Sequence, residues 1–373
     1  MSGTSLDGID VAIVDIGGRG YTKKLSIVAT LASPYPEGVR EALLGVSNTM
    51  THTASISRLN FLLGELYAER FLACCKRRGV PRESVQLIGC HGQTIYHEGR
   101  PAQFLGREIR NTMQIGEPAV IAERTGIDVV SNFRERDIAA GGQGAPLVPL
   151  LDYILFRDAK RGRIALNLGG IANLTAIPAK ASIDELVACD TGPANMIIDQ
   201  LVARLTNGKQ KYDRGGAIAR KGKVHERMLE SMLSDRFFTL KPPKSAGREQ
   251  FGSDYVNGLI GTSIPLEDLI TTASLFTARS VTMAIEQVSK RARYHDLIVG
   301  GGGAHNRFLM DALGRLNPGL HVATPDAYGV DADFKEAAAF AVLAHETVLG
   351  RPGNVRGATG AKRSVQLGRL TRA

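Results

Sequence analysis

The chain has no tryptophan, only four cysteines among 373 residues, and no apolar run near the roughly 18 residues that a membrane-spanning helix needs. A helical membrane span is therefore not expected, and the polar, acidic amino end is not a secretory leader, so the sequence reads as cytoplasmic. Cys74, Cys75, Cys90 and Cys189 fall into no metal-binding or disulfide spacing. The adjacent pair Cys74-Cys75 lies in a helix-like stretch, which suits reduced thiols. No low-complexity linker and no helix-turn-helix signal is present. Acidic residues are missing from 351 to 373, where Arg351, Arg356, Lys362, Arg363, Arg369 and Arg372 supply two-thirds of the formal charge of +9. Without interleaved aromatics this reads as a solvated basic tail and not as a nucleic-acid surface.

What is present is an ordinary globular composition, 43% apolar and 22% charged. The chain is longer than a single core usually grows, so two lobes are expected. A basic surface suits anionic ligands. The richest segment is the opening, Met1-Ser2-Gly3-Thr4-Ser5-Leu6-Asp7-Gly8-Ile9-Asp10, a hydroxyl- and glycine-rich turn leading into a strand from Ile9 to Val14. Glycines admit an anion close to backbone N–H groups, Thr4 and Ser5 add hydroxyl donors, and Asp7 is a carboxylate that can hold Mg²⁺ against phosphates. A capped β-turn before an edge strand accounts for the same residues. Recurrence favours the phosphate reading. Ile164 to Leu168, Gly169-Gly170 and Leu174 to Ile177 read as strand, turn, strand, and Leu297 to Val299 leads through Gly300-Gly301-Gly302-Gly303 to a helix from Arg307 to Leu316.

Further elements are expected at Leu25 to Ala32 (strand), Thr53 to Arg78 (helix, stopped by Gly79-Val80-Pro81) and Val85 to Cys90 (strand, ending at His91-Gly92-Gln93-Thr94). A helix from Ala119 to Thr125, a strand from Asp128 to Ser131, and helices at Met196 to Leu205, Glu267 to Ala292 and Phe334 to Leu349 complete the outline. Polar groups at strand ends line ligand crevices in α/β proteins. The glycine-rich run Ala140 to Pro146 reads equally as a bend between lobes. Asp190 stands before the helix at Met196, where it is either a helix cap or a reactive carboxylate.

In order along the chain, Met1 to Asp10, His91 to Thr94, Ala139 to Pro149, Leu166 to Thr175, Asp190 to Asn195, Pro242 to Glu249, Gly300 to Asn306 and Thr359-Gly360-Ala361 resemble the anhydro-N-acetylmuramic acid kinases. The resemblance spans essentially the whole chain. It implies an α/β, two-lobed, actin-like (ribonuclease H-like) ATPase fold with a nucleotide cleft between the lobes. The lobes are expected at 1–160 and 161–373, with the tail packing back on the first. It implies opening of 1,6-anhydro-N-acetylmuramic acid by water with phosphorylation of O6, giving N-acetylmuramic acid 6-phosphate in cell-wall recycling, with ATP and Mg²⁺ and a homodimer. No nucleic-acid or membrane partner is expected.

By the same resemblance Asp190 is the base. Gly3, Thr4, Ser5, Leu6, Asp7, Gly8, Ile9 and Asp10 hold the phosphates, with Gly169 and Gly170, and Gly301, Gly302 and Asn306 lie along the adenosine. Gly192 lets the backbone approach the reaction centre. Asp7 is the candidate metal ligand, directly or through water. Arg134 pairs with the lactyl carboxylate, His91 and Thr94 line the sugar pocket, and Glu336 orients the sugar. Arg134 reads equally as a salt-bridge residue, and Glu336 as a helix-dipole partner.

The sequence departs from the family pattern in lacking the apolar residues that usually precede the Met-Ser-Gly-Thr stretch and form a first strand. The phosphate hairpin thus lacks one arm, and the reading expects a start codon assigned late. Asn132 replaces a common aspartate, and Ala194 and Ala246 replace residues often glycine and threonine. The competing functions are another sugar or acyl kinase of the same fold and a non-catalytic ATP-binding clamp, which would not need Asp190.

Overall fold

A computed structural model describes residues 1–373 apart from Thr4, Ser5, Asp7 and Pro243, with Arg248 and Glu249 described by backbone alone. In chain order the elements are β1 (Gly8–Gly17), β2 (Lys24–Pro34), α1 (Val39–Leu44), α2 (Thr53–Arg78), β3 (Ile88–Gly89), β4 (Gln93–Phe104), β5 (Arg107–Ile115), α3 (Pro118–Thr125), β6 (Val129–Ser131), α4 (Glu135–Ala139) and α5 (Pro149–Phe156). They continue with β7 (Arg163–Leu168), β8 (Ile171–Ile177), β9 (Val187–Pro193), α6 (Asn195–Leu205), α7 (Glu226–Leu233), α8 (Arg248–Phe251), α9 (Ser253–Ile260), α10 (Leu266–Ser289), β10 (Asp296–Gly300), α11 (Arg307–Leu316), β11 (His321–Ala323), α12 (Lys335–Val348), α13 (Arg356–Thr359) and β12 (Arg369–Thr371). The fold is α/β in two compact units: Met1–Ile154 with Phe334–Ala373, and Leu155–Asp333. The first boundary falls six residues before the expected one at 160, and the chain returns to the first unit from Phe334, not only with its tail. The reason is packing: α12 is an alanine-rich helix whose Ala337, Ala338 and Phe340 are buried, and Gly89 of β3 lies against the Phe340 carbonyl with no room for a Cβ.

In the first unit, β1 and β2 form an antiparallel hairpin from Gly8↔Pro34 to Gly17↔Lys24, with a bulge after Ile13. A second sheet has the order β12-β6-β3, β12 antiparallel and β3 parallel to β6. Helix α2 buries Leu59, Leu63, Leu66, Phe71, Cys74 and Cys75 and ends at Gly79, which takes the left-handed conformation (φ 67°) and donates its N–H to the Cys75 carbonyl. All four cysteines are free and buried. The strand expected from Val85 shrinks to Ile88–Gly89, because Arg82–Ser84 wind into a 3₁₀ turn that Val85 closes through its N–H to the Arg82 carbonyl.

The second unit has one five-stranded sheet, order β11-β10-β7-β8-β9. β11, β10 and β7 run parallel, β8 is antiparallel to β7, and β9 is antiparallel to β8. Its core joins Ile164, Leu166 and Leu168 of β7 and Leu297 and Val299 of β10 to Phe276 and Val281 of α10. The buried hydroxyls of α10 satisfy themselves on the preceding turn, as Thr272 does on the Asp268 carbonyl and Ser274 on the Ile270 carbonyl.

Candidate functional site

In the second unit the candidate residues gather around two strand ends and the loops that follow. The β7–β8 turn carries Gly169 and Gly170, whose carbonyls accept from the backbone N–H groups of Asn195 (3.0 Å) and of Ala194 (2.9 Å) and Met196 (3.1 Å), respectively. The turn is thereby fixed to the start of α6, and N–H donors are what it retains to offer an anion. Asn195 donates its side-chain amide to the Leu168 carbonyl (3.1 Å). Gly301, at φ +79°, presses against Leu168 and the Asn167 side chain, so a Cβ there has no room, whereas Gly302 has only the Asn195 amide near it, at 3.9 Å. The β7–β8 turn and the loop after β10 are therefore one glycine-lined cradle within this unit. Asn306, expected along the adenosine, has its side chain committed to capping α11, accepting from the Leu309 N–H at 3.2 Å, and Gly216 packs against its carbonyl oxygen.

Asp190 lies in β9 beside the bulge opposite Asn173. It does not cap the helix that follows: the N-cap of α6 is Ala194, with no side-chain cap. Its carboxylate accepts from the Ala246 N–H (2.8 Å), and its own N–H donates to the Lys244 carbonyl (3.0 Å). Lys244 anchors this loop, its ammonium donating to the Phe237 carbonyl (3.0 Å) and sitting 4.5 Å from the Phe237 ring centroid. Thr277 of α10 donates to the Pro193 carbonyl (3.0 Å), fixing the far end of the same segment. At Gly192, with φ +143°, a Cβ would come within 2.8 Å of Phe238 and 3.2 Å of Ser280 in the core, so packing by itself requires a glycine here.

In the first unit the opening segment is only partly described: Thr4, Ser5 and Asp7, named as phosphate or metal ligands, lie outside the described residues. Leu6 and Ile9 send their side chains into the core, and Leu6, whose N–H donates to the Gly3 carbonyl (3.3 Å), adopts φ 59°, rare for a bulky residue. Gly8 is required by β2, since a Cβ would run into the Ser33 carbonyl. Gln93 donates to the Gly3 carbonyl (3.1 Å).

The remaining candidates form a charged cluster. Arg134 donates through Nη2 (2.8 Å) and Nε (3.1 Å) to His91 Nε2, and through Nη1 to the Gly144 carbonyl (2.7 Å). Because His91 Nε2 accepts, its Nδ1 carries the proton and donates to the Gly92 carbonyl (2.7 Å). Burial first, then the Arg134 charge, holds the buried imidazole well below its usual range, so it stays neutral. Burial pushes Arg134 down to about 10, against the attraction of Glu336, Glu135 and Asp137. Glu336, in the first turn of α12, is raised by burial, against the charges of Lys335 and Arg134. Thr94 accepts from Gln114 Nε2 (3.1 Å), and Gln114 Oε1 is buried with no hydrogen-bond partner among the described residues.

Sequence reasoning missed the residues that frame these groups. The run Ala140 to Pro146 is not a bend between units: it folds onto buried Asp137, whose carboxylate accepts from the Gly144 N–H, the Asn354 amide and the Thr359 hydroxyl, each at 2.8 Å. Thr359-Gly360-Ala361 stands in the resembling motifs, but its partner lies 222 residues away in sequence. Asn195, Lys244 and Gln114 also went unassigned; only the position of Asn195, at a helix start after a glycine turn, carried a signal.

The anhydro-N-acetylmuramic acid kinase family model matches residues 1–373. The chain belongs to that family. It is 45% identical over 377 residues to an anhydro-N-acetylmuramic acid kinase of Caldanaerobacter subterraneus subsp. tengcongensis, covering 100% of this chain and 95% of the relative. Against the enzyme of that name from Bacillus cereus (strain AH187) it is 41% identical over 379 residues, covering 100% of this chain and 97% of the relative. Among solved structures it is similar to component A of the Acidaminococcus fermentans (R)-2-hydroxyglutaryl-CoA dehydratase, at 12% identity and TM-score 0.40 over 91% of this chain and 99% of that one. A ROK hexokinase from Thermus thermophilus gives 14% identity and TM-score 0.36 over 91% and 100%. These two likenesses are too slight to carry an inference.

Proposed function

We propose that this chain is an ATP-dependent kinase that opens the internal ether of 1,6-anhydro-N-acetylmuramic acid with water and phosphorylates O6. The reaction balances as sugar, ATP and water giving N-acetylmuramic acid 6-phosphate, ADP and one proton. The family match over residues 1–373 carries this reading. The product belongs to cell-wall recycling, and the enzyme works in the cytoplasm as a homodimer. Among the described residues no helix is long and apolar enough to cross a membrane.

Asp190 takes the proton of the water that attacks the anomeric carbon as the C1–O6 bond breaks. The hydrogen bond from the Ala246 N–H fixes the direction in which this carboxylate faces. The Gly169–Gly170 turn and the Gly301–Gly302 loop fit a phosphate-bearing nucleotide, being a cradle of backbone donors kept free of Cβ atoms. Mg²⁺ bound with ATP supplies charge neutralisation at the transferred phosphoryl group. Such an ion is held through phosphates, water and one or two carboxylates, so it needs no protein cluster of three, and none occurs among the described residues. Asp7 remains its candidate ligand. Arg134, held in its fork by His91 and Gly144, pairs with the lactyl carboxylate; Thr94 contacts the sugar, and Glu336, kept protonated to higher pH than an ordinary glutamate, donates to a sugar oxygen.

The test is turnover with Mg-ATP and 1,6-anhydro-N-acetylmuramic acid, following ADP and sugar by mass spectrometry. Equimolar ADP and sugar 6-phosphate is the expected result. ADP formed at one rate with and without the sugar would instead indicate a bare ATPase.

A further inference from the structure

The Pro242 to Glu249 run contributes to the proposed reaction only the Ala246 N–H, yet it closes on Asp190 from two sides. The Asp190 N–H donates to the Lys244 carbonyl at 3.0 Å, and the Ala246 N–H donates to the Asp190 carboxylate at 2.8 Å. Main chain and side chain of Asp190 are thus both tied to one short piece of loop. Lys244 ties that loop down in turn. Its side chain is buried, and its ammonium donates to the Phe237 carbonyl at 3.0 Å and, at 3.5 Å, more weakly to that of Phe238. Gln287 of α10 donates to the same Phe238 carbonyl at 3.1 Å, so the anchor point is itself joined to the core.

An ammonium taken out of water needs a charge to offset the lost hydration. Burial lowers the pKa of the Lys244 ammonium, and Cys189 and Asp190, neighbours on β9, work against that burial. The thiol is no anion near neutral pH, since burial pushes Cys189 up to about 12 against the Lys244 charge. The anion that offsets the buried ammonium is therefore Asp190. Attraction between two charges is mutual, so the same cation favours the ionised form of Asp190, the form able to take a proton from water. A neutral side chain could hold the loop through a packed stem or an amide donor, but only a cation exerts this second influence.

We propose that Lys244 is a positioning residue for the ring-opening step: its buried ammonium anchors the loop that clasps Asp190 and, as a nearby fixed cation, holds that carboxylate in its ionised form. The inference rests on Asp190 being the base. As the C1–O6 bond breaks, positive charge grows at C1, and water attacking there becomes acidic enough for a carboxylate of ordinary strength to take its proton. Protonation of the carboxylate beforehand is what would stop the step. Lys244 guards against it while touching neither sugar nor nucleotide and moving no proton itself.

The full chain is compared with Lys244→Gln, which keeps a donor, Lys244→Met, which keeps the stem, and Lys244→Arg, which keeps the charge. The readout is the pH profile of kcat/KM for 1,6-anhydro-N-acetylmuramic acid at saturating Mg-ATP, with Asp190→Asn as the reference for a lost base. In both neutral variants the acid limb should move up by about one pH unit, and kcat should fall about tenfold or more, with ATP affinity by titration calorimetry unchanged. Lys244→Arg should return the limb to the position of the unsubstituted chain, while its larger head still costs rate. A rate loss in the neutral variants with the limb unmoved makes Lys244 a structural anchor alone and overturns the proposal. So does a chain that folds with arginine at 244 but with neither neutral residue, since the charge would then serve folding. Sugar-dependent turnover retained by Asp190→Asn would sink the base assignment itself, a failure read with Lys244 intact and so separable from the other two.

Discussion

The five strands of the second unit form one sheet, from β11 at one edge to β9 at the other, whereas among the described residues the strands of the first unit fall into three sheets, β1-β2, β12-β6-β3 and β4-β5, with a cavity lined by β1 and β3. Asp190 belongs to the continuous sheet, fixed by the Ala246 and Lys244 backbone contacts and by the β8–β9 register. Arg134, His91 and Glu336 belong to the divided unit, and their order depends on side-chain networks, chiefly those of His91 and Asp137. The difference teaches where each kind of damage should appear. Near Asp190 a conservative change should strike chemistry and leave stability intact; in the first unit comparable changes should cost stability and sugar affinity together.

The largest effect is expected for Asp190→Asn. Loss of a general base should reduce sugar-dependent kcat by about 10²–10⁴, with ATP affinity and the thermal midpoint unchanged, because the Asn oxygen still accepts from Ala246. Isothermal titration with ATP and steady-state kinetics check the split, and a fall in the midpoint to match would erase the contrast between the units. Asp137→Ala comes next, stranding the Gly144 N–H, Asn354 and Thr359 in a fully buried site. It should cost about 3 kcal/mol of stability, read as a lower urea midpoint. Gly192→Ala should cost about 1–3 kcal/mol, through its positive φ and the contact with Phe238. That variant tests whether the Asp190 segment is as rigidly packed as the continuous sheet implies.

Arg134→Lys keeps the charge and loses the fork. It should raise KM for the sugar about tenfold with KM for ATP unchanged.

The smallest effect is in the pH dependence of stability. His91 is depressed below its usual 6.5, so as pH falls below that value the unfolded chain takes up a proton that the folded chain refuses, and stability drops. Glu336 is raised above 4.5, so its contribution is complete below 4.5 and is lost as pH rises through the folded value. Urea titrations should show His91→Gln flattening the acid-side loss and Glu336→Gln flattening the opposite slope.

Much of this was legible in the sequence wherever the information is local. Thr53–Arg78 and Arg307–Leu316 emerge with the expected bounds, because apolar spacing and a glycine stop or an asparagine cap define such helices without outside help. The β7–β8 hairpin was readable for the same reason. The shortness of β3, the return of the chain at Phe334 and the Asp137 network were not, since each depends on partners far away in sequence. Asp190 stood out by its motif, yet its hydrogen bond to Ala246, 56 residues on, could not be read from the strand that carries it. The Phe238 contact that demands a glycine at 192 was equally hidden, since in sequence such a glycine looks like one demanded by a ligand.

The central claim, that water opens the sugar while O6 receives the phosphoryl group, is tested most directly by a single turnover in ¹⁸O-labelled water, analysed before the anomeric oxygen can exchange. The account predicts one labelled oxygen on C1 of the sugar phosphate and none in its phosphate group. Label in inorganic phosphate, with the anhydro-sugar unchanged, would contradict it.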